Sequence, residues 1–207
     1  MVAPREVKIA AAALLGAAIL IPSMALANWR NEASDFDIHR LSLLEQWRDK
    51  AIWEAQNYRD GTGDFNALRA ALEPQGRSAP GQALVGNRRC RNMKMGGKNA
   101  YIVYEWFDCS IRAVNGELLL TKHTGTLRTL GWLYPENGAW VYLGSFSAKG
   151  ERLGRYSGRT PSVGAPATPD DQIGLLTGIG NNWLRLEIPG PVKESTMTSL
   201  SSHANLG

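Results

Sequence analysis

Two dipeptides constrain this chain more than any other feature: Asn115-Gly116 and Asn137-Gly138, each flanked by β-rich runs. A two-residue type I′ turn needs positive φ at both central positions, and Asn-Gly supplies it at least cost. Each pair therefore predicts a tight antiparallel hairpin. Around them run short alternating or β-rich segments separated by turn signals. Strands are expected near 85–95, 101–113, 117–124, 127–134, 139–147, 173–179, 182–188 and 194–200. About eight consecutive strands predict an up-and-down antiparallel β-barrel of the lipocalin or avidin kind, or a strongly curved sheet. The stretch from Gly150 to Asp171 is rich in proline and glycine and reads as a long loop.

Upstream of residue 80 the period changes. Leu41, Leu44, Ala51, Ile52, Ala55 and Tyr58 recur at three- and four-residue steps, which predicts a helix from Ser34 to Tyr58. Ser34 or Asp35 is placed to cap it, and Gly61 and Gly63 end it. A second short helix is expected with Phe65, Leu68 and Leu72 on one face, Asp64 at its start and Pro74 beyond its end. Trp47 and Trp53 lie in the long helix and are expected to pack against the rest of the protein. Glu73 to Gly81 reads as a linker. The fold class is therefore α+β: a helical segment and linker over 28–80, then a barrel domain over 81–207.

The first 27 residues read as a secretory signal peptide. Arg5 and Lys8 form a positive start, Ile9 to Ile21 is uncharged and apolar, and Ala25-Leu26-Ala27 makes a small-x-small cleavage site. The apolar run is shorter than the roughly 20 residues that a spanning helix needs. Cleavage is expected after Ala27, leaving a periplasmic or secreted protein with no membrane span. The formal charge of +4 then falls by one, because Arg5, Lys8 and Glu6 leave together.

Export places Cys90 and Cys109 in an oxidising space, where an even count favours a disulfide. If the two face each other across a hairpin, paired positions put a four-residue loop at Lys98 to Tyr101. That register sets Lys94 against Glu105 and Arg91 against Asp108, two opposite-charge pairs that support a ladder. The Asn115-Gly116 turn independently sets Ile111 against Leu120, Cys109 against Lys122 and Asp108 against His123. Alternation then puts Cys90, Lys94, Tyr101, Val103, Glu105, Phe107, Cys109, Ile111, Leu120 and Lys122 on one face, the more apolar and hence the interior. Lys94, Glu105, Lys122 and Arg128 are the candidate polar lining of a ligand site at an open barrel end. Arg91, Asp108 and His123 form a candidate contact row on the outer face, pH-sensitive in the functional reading and a solvated trio in the plain one.

Catalytic and metal constellations are missing from the sequence. His39, His123 and His203 lie in separate segments without ligand spacing, and two cysteines joined to each other cannot hold zinc. There is no Gly-x-Ser-x-Gly, Walker loop or dinucleotide fingerprint. Asp170-Asp171 reads as a solvated turn. No cofactor is expected. Arg88, Arg89, Arg91, Lys94 and Lys98 make a basic strand. Export and the division of these charges between two faces argue for an anionic ligand or envelope surface and against nucleic acid.

Gly86 to Gly96 (GNRRCRNMKMG), Thr124 to Pro135 (TGTLRTLGWLYP) and Trp183-Leu184-Arg185-Leu186 resemble motifs of an exported Gram-negative bacterial family, domain of unknown function 4893. The N-terminal helix with Trp29, Arg40, Leu41 and Trp47 is similar too. The resemblance covers most of the mature chain and implies no reaction. Arg88 stands where the family pattern has an aromatic residue, and Thr126-Leu127 where it has Ser-Gln. The leading reading is a non-enzymatic periplasmic module that binds an unknown small ligand or an envelope protein. A protease inhibitor or protein partner presenting the Gly150–Asp171 loop is the second. The third is an enzyme with an unrecognised site, which activity abolished by Glu105→Gln would reveal.

Overall fold

The computed structural model describes residues 28–158, 168–180, 182–190, 195 and 197–204. The predicted signal segment lies outside the described residues. Eight strands form one closed antiparallel barrel in sequence order: β1 (Gly86–Met95), β2 (Tyr101–Val114), β3 (Glu117–Lys122), β4 (Leu127–Glu136), β5 (Ala139–Ala148), β6 (Asp171–Gly180), β7 (Trp183–Pro189) and β8 (Met197–Ala204). Pairing of β8 with β1 closes the ring, so no strand edge is left open. Both Asn-Gly turns form as expected, with positive φ at Asn115, Gly116, Asn137 and Gly138.

The β2–β3 register follows the Asn115-Gly116 turn: Ile111 lies opposite Leu120 and Cys109 opposite Lys122. The β1–β2 register differs from expectation by two positions. Cys109 stands opposite Arg88, and Cys90 opposite Phe107, so the disulfide runs diagonally with Cα atoms 5.9 Å apart. Arg89 rather than Arg91 meets Asp108. Further up, Arg91 pairs with Trp106 and Met93 with Val103. Tyr104 and Glu105 therefore stand together opposite Asn92. This β-bulge swaps the faces of β2 on either side of it. Phe107, Cys109 and Ile111 point into the barrel, while Tyr101 and Val103 lie outside, under the helices.

The barrel axis is packed. Cys90, Cys109, Ile111, Leu120, Tyr142, Leu176, Leu186 and Leu200 belong to one buried cluster. Tyr142 lies across the interior and hydrogen-bonds Thr129 Oγ1 at 2.5 Å. The ring fits because Gly131 and Gly144, paired across β4 and β5, carry no side chain. A Cβ on Gly131 would sit 2.3 Å from the ring, and one on Gly144 2.1 Å from its hydroxyl.

The helices wrap the outside. The long predicted helix breaks at Leu43 into α2 (Asp35–Ser42) and α3 (Leu44–Asn57), preceded by α1 (Trp29–Glu32). Ser34 caps α2 through the Asp37 amide. Trp29, Ala33 and Leu41 cover Val141, Leu143 and Ile173 on the outer barrel wall. Leu44, Ala51 and Ala55 of α3 and Leu68 of α4 (Phe65–Leu72) cover Met93, Met95 and Met197. Trp53 is an exception to the expected packing: it is 58% exposed, edge-on to Tyr58. The predicted linker is structural. Arg77 pairs with Gly178 at the end of β6, Trp140 Nε1 donates to Ala79 O, and Leu84 of α5 (Gly81–Leu84) plugs that barrel end.

Polar groups, some of them buried, fasten the two layers. Arg40 ion-pairs with Asp37 at 2.6 Å and donates to Asp171 O and Gly190 O. Tyr156 donates to the same Asp37 carboxylate at 2.5 Å, and burial holds its phenol well above the ordinary range. Glu136 accepts from Trp29 Nε1 and from both terminal nitrogens of Arg30.

Candidate functional site

Of the four residues expected to line a ligand pocket, two come together and two do not. Lys94 and Lys122 do meet, at the barrel end opposite the α5 plug. They line a recess of about 80 Å³ together with Asn92, Tyr104 and Phe107. Glu105 is exposed. Arg128 lies half-buried on the outer wall, where it donates to Ala148 O and Glu151 O. The expected Lys94–Glu105 pair does not form: the two-position shift of β1 on β2 and the bulge together set Lys94 against Ile102 and leave Glu105 exposed. A ligand-holding lumen needs hundreds of cubic ångströms, and the packed axis leaves far less.

Lys122 is committed to the fold. Its ammonium donates to Thr124 O at 2.8 Å and Leu127 O at 2.6 Å, and sits 3.8 Å from the Phe107 ring centroid. It thereby ties the β3–β4 connection over the barrel mouth. Burial pushes its pKa down to about 8. The folded state thus releases this proton more readily than the unfolded chain. Between about pH 8 and 10.5 the unfolded state binds more protons, so this group's contribution to stability rises with pH across that window. Below it the cost of burying the ammonium is constant. The Lys122 ¹³Cε resonance is expected to titrate with a midpoint near 8, well below the ordinary lysine value. A midpoint near 10.5 shows that the ammonium is not desolvated.

The expected outer row holds only in part: His123 N donates to Asp108 O at 2.8 Å, so these two stay neighbours at the end of the β2–β3 ladder, as the Asn115-Gly116 turn sets them. Asp108 ion-pairs with Arg89 at 2.5 Å, and His123 Nε2 lies 2.8 Å from Ser110 Oγ. Arg91 is elsewhere, with its guanidinium 4.9 Å from the Trp106 ring centroid. This is the side of a second, larger feature that periodicity alone did not reveal. Between α4 and the outer wall lies a groove of about 340 Å³. Ala67, Ala70 and Ala71 form its helical side, and Arg91, Met93, Trp106, Ile179, Trp183 and Ser201 the barrel side. The gap exists because α4 presents alanines where larger side chains would close against the wall.

The wall is aromatic by register. Side chains of alternate residues on β2, β7 and β8 point outward, and Trp106, Trp183 and His203 meet there. Trp106 and Trp183 centroids are 5.9 Å apart, and His203 lies 5.0 and 4.9 Å from them. Trp183 is 39% exposed. The faint sequence signals for this site are two outward tryptophans on strands and the alanine-rich face of α4. Neither is specific, since the alanines, Trp106 and Trp183 lie in three separate segments of the chain.

The loop after β5 is held down where it is described. Gly154 N donates to Ser147 Oγ, and Ser157 donates to Asp171. Residues 159–167, the middle of the candidate partner-binding loop, lie outside the described residues. Among the described residues no group of three or more His, Cys, Asp or Glu is placed to hold a metal ion.

No curated protein matches this chain. No solved structure matches it either. A family model described as domain of unknown function (DUF4893) matches residues 29–201. That span runs from the first buried tryptophan of the helical arm to the groove's Ser201 in β8, and so takes in β1 to β7, the first part of β8, the plug and the groove: the chain belongs to the DUF4893 family.

Proposed function

We propose that this protein is an exported, non-enzymatic binding module whose binding element is the α4 groove on the outside of the barrel. One observation carries the reading. The lumen is filled by its own side chains, whereas the groove is an open apolar site of about 340 Å³ walled by Trp106 and Trp183. That volume falls within the range of small-molecule sites, which are mostly apolar with few polar groups. The signal-peptide pattern and the Cys90–Cys109 disulfide support export, because disulfides persist in oxidising compartments.

Ala70 is exposed on the groove's helical side, so Ala70→Phe fills the groove without touching the core. Its effect on stability is expected to stay within about 0.5 kcal/mol, as for most surface substitutions. Native mass spectrometry of protein purified from the periplasm is expected to show a chain beginning at Asn28 with a retained small molecule, and Ala70→Phe to lose the adduct. A variant that keeps it moves the site elsewhere. A chain recovered from the cytoplasm with residues 1–27 still attached overturns the export reading.

A further inference from the structure

We propose that the α4 groove takes an amphiphile with an apolar body and a carboxylate head, anchored by Arg91. The proposal rests on the groove being the binding element. Most of the groove offers nothing to a polar body: three alanines, Met93, Ile179 and two tryptophans make up the surface. Among the described residues the hydrogen-bonding groups of its lining side chains are those of Ser201, Arg91 and the two indoles, and Arg91 alone is charged. Among the described residues the groove therefore has one cation and no carboxylate of its own.

Arg91 is also incompletely satisfied. Its Nε is buried and has no hydrogen-bond partner among the described residues. Burying a polar donor without a partner is costly, so such groups in folded proteins call for an explanation. The neighbouring carboxylate on β2, Asp108, is already held by Arg89 at 2.5 Å. The β1–β8 neighbour of Arg91 is Ser201, which carries no charge. The guanidinium lies over the Trp106 ring, 4.9 Å from its centroid, a cation–π contact that restrains it. A planar guanidinium held in this way presents a fork that a carboxylate matches with two parallel charge-assisted bonds. The apolar tail would then lie along the alanines of α4 toward Trp183.

Three eight-carbon probes test this: octanoate, octan-1-ol and octylamine, each titrated into the mature protein and followed by tryptophan fluorescence. Octanoate is expected to bind at least tenfold more tightly than either of the others. Arg91→Met keeps a stem against Trp106, and should weaken octanoate about tenfold while leaving octan-1-ol unchanged. Arg91→Lys keeps the charge without the fork, and should recover part of the loss. Equal binding of octanoate and octan-1-ol to the wild type overturns the carboxylate assignment, whether or not the variants fold. If both are then lost in Ala70→Phe, the groove reading survives that failure. If no probe binds the wild type and Ala70→Phe keeps the retained mass, both readings fall.

Discussion

Glu187→Ala is expected to lower the stability of the folded protein by about 3–5 kcal/mol, the cost typical of breaking a buried ion pair from one side. Glu187 has no exposed surface. Its carboxylate holds Arg48 of α3 through two hydrogen bonds of 2.6 and 2.7 Å and ion-pairs with Arg185 of β7 at 3.1 Å. Arg185 in turn donates from Nη1 to Ala71 O, Leu72 O and Pro74 O, the carbonyls at the end of α4. One carboxylate therefore joins the barrel wall to α3 directly and to the end of α4 through Arg185. Removing it leaves Arg185, whose side chain is 3% exposed, as a buried cation without a counter-charge. Denaturant unfolding should show a lower midpoint. The double variant Glu187→Ala, Arg185→Leu should recover part of the loss, because the stranded cation goes with its partner. A loss below about 1 kcal/mol for the single variant, the size of a surface pair, shows that Arg48 and Arg185 find water instead.

Removal of the disulfide is the second large effect. Cys90→Ala with Cys109→Ala is expected to cost about 3 kcal/mol, the loop-closure entropy of a chain segment this long. The sulfurs cross-link neighbouring strands that the ladder already pairs, so the effect falls mainly on the unfolded state. The variant should keep the wild-type circular dichroism and unfold at lower denaturant. Cys90 has no exposed surface and Cys109 is only 5% exposed. Reductant should therefore open the bond in native protein only as fast as the barrel unfolds. Rapid reduction without unfolding shows that the barrel opens locally around β1 and β2. An unchanged midpoint after both substitutions shows that the link does not constrain the unfolded chain.

Much of the barrel was legible in the sequence, for local reasons. Two Asn-Gly turns and alternating apolar residues are short-range signals, and the observed strands fall close to the predicted ones. The β2–β3 register follows directly, since a two-residue turn leaves no freedom in pairing. The β1–β2 register could not be obtained in the same way. Its connection, Gly96 to Ala100, has no such turn, and the disulfide admits diagonal as well as directly opposed cysteines. The assumption of direct opposition produces two plausible charge pairs; the two-position shift sets Arg91 against Trp106 instead, and the shift together with the bulge at Tyr104 and Glu105 sets Lys94 against Ile102. Alternation also misled where helices cover the sheet: Tyr101 and Val103 are apolar because α4 packs on them from outside, not because they face the axis.

The candidate site divides along the same line. Lys94 and Lys122 were correctly placed on one face, yet only the tertiary structure shows that Lys122 is tied to loop carbonyls and that the axis beside it is full. Arg91 was picked out for a charge partner on β2 that belongs to Arg89. Its position beside Trp106, Trp183 and the alanines of α4 joins four segments distant in sequence. The sequence by itself determined the helical arm, the eight strands and their tight turns, because caps, periodicity and φ preferences act over a few residues. Closure of the barrel, the plug at Leu84, the bulge and the groove were decided only by the tertiary structure. Each depends on which side chains from distant segments fill a shared space, and at α4 the alanines leave part of that space open.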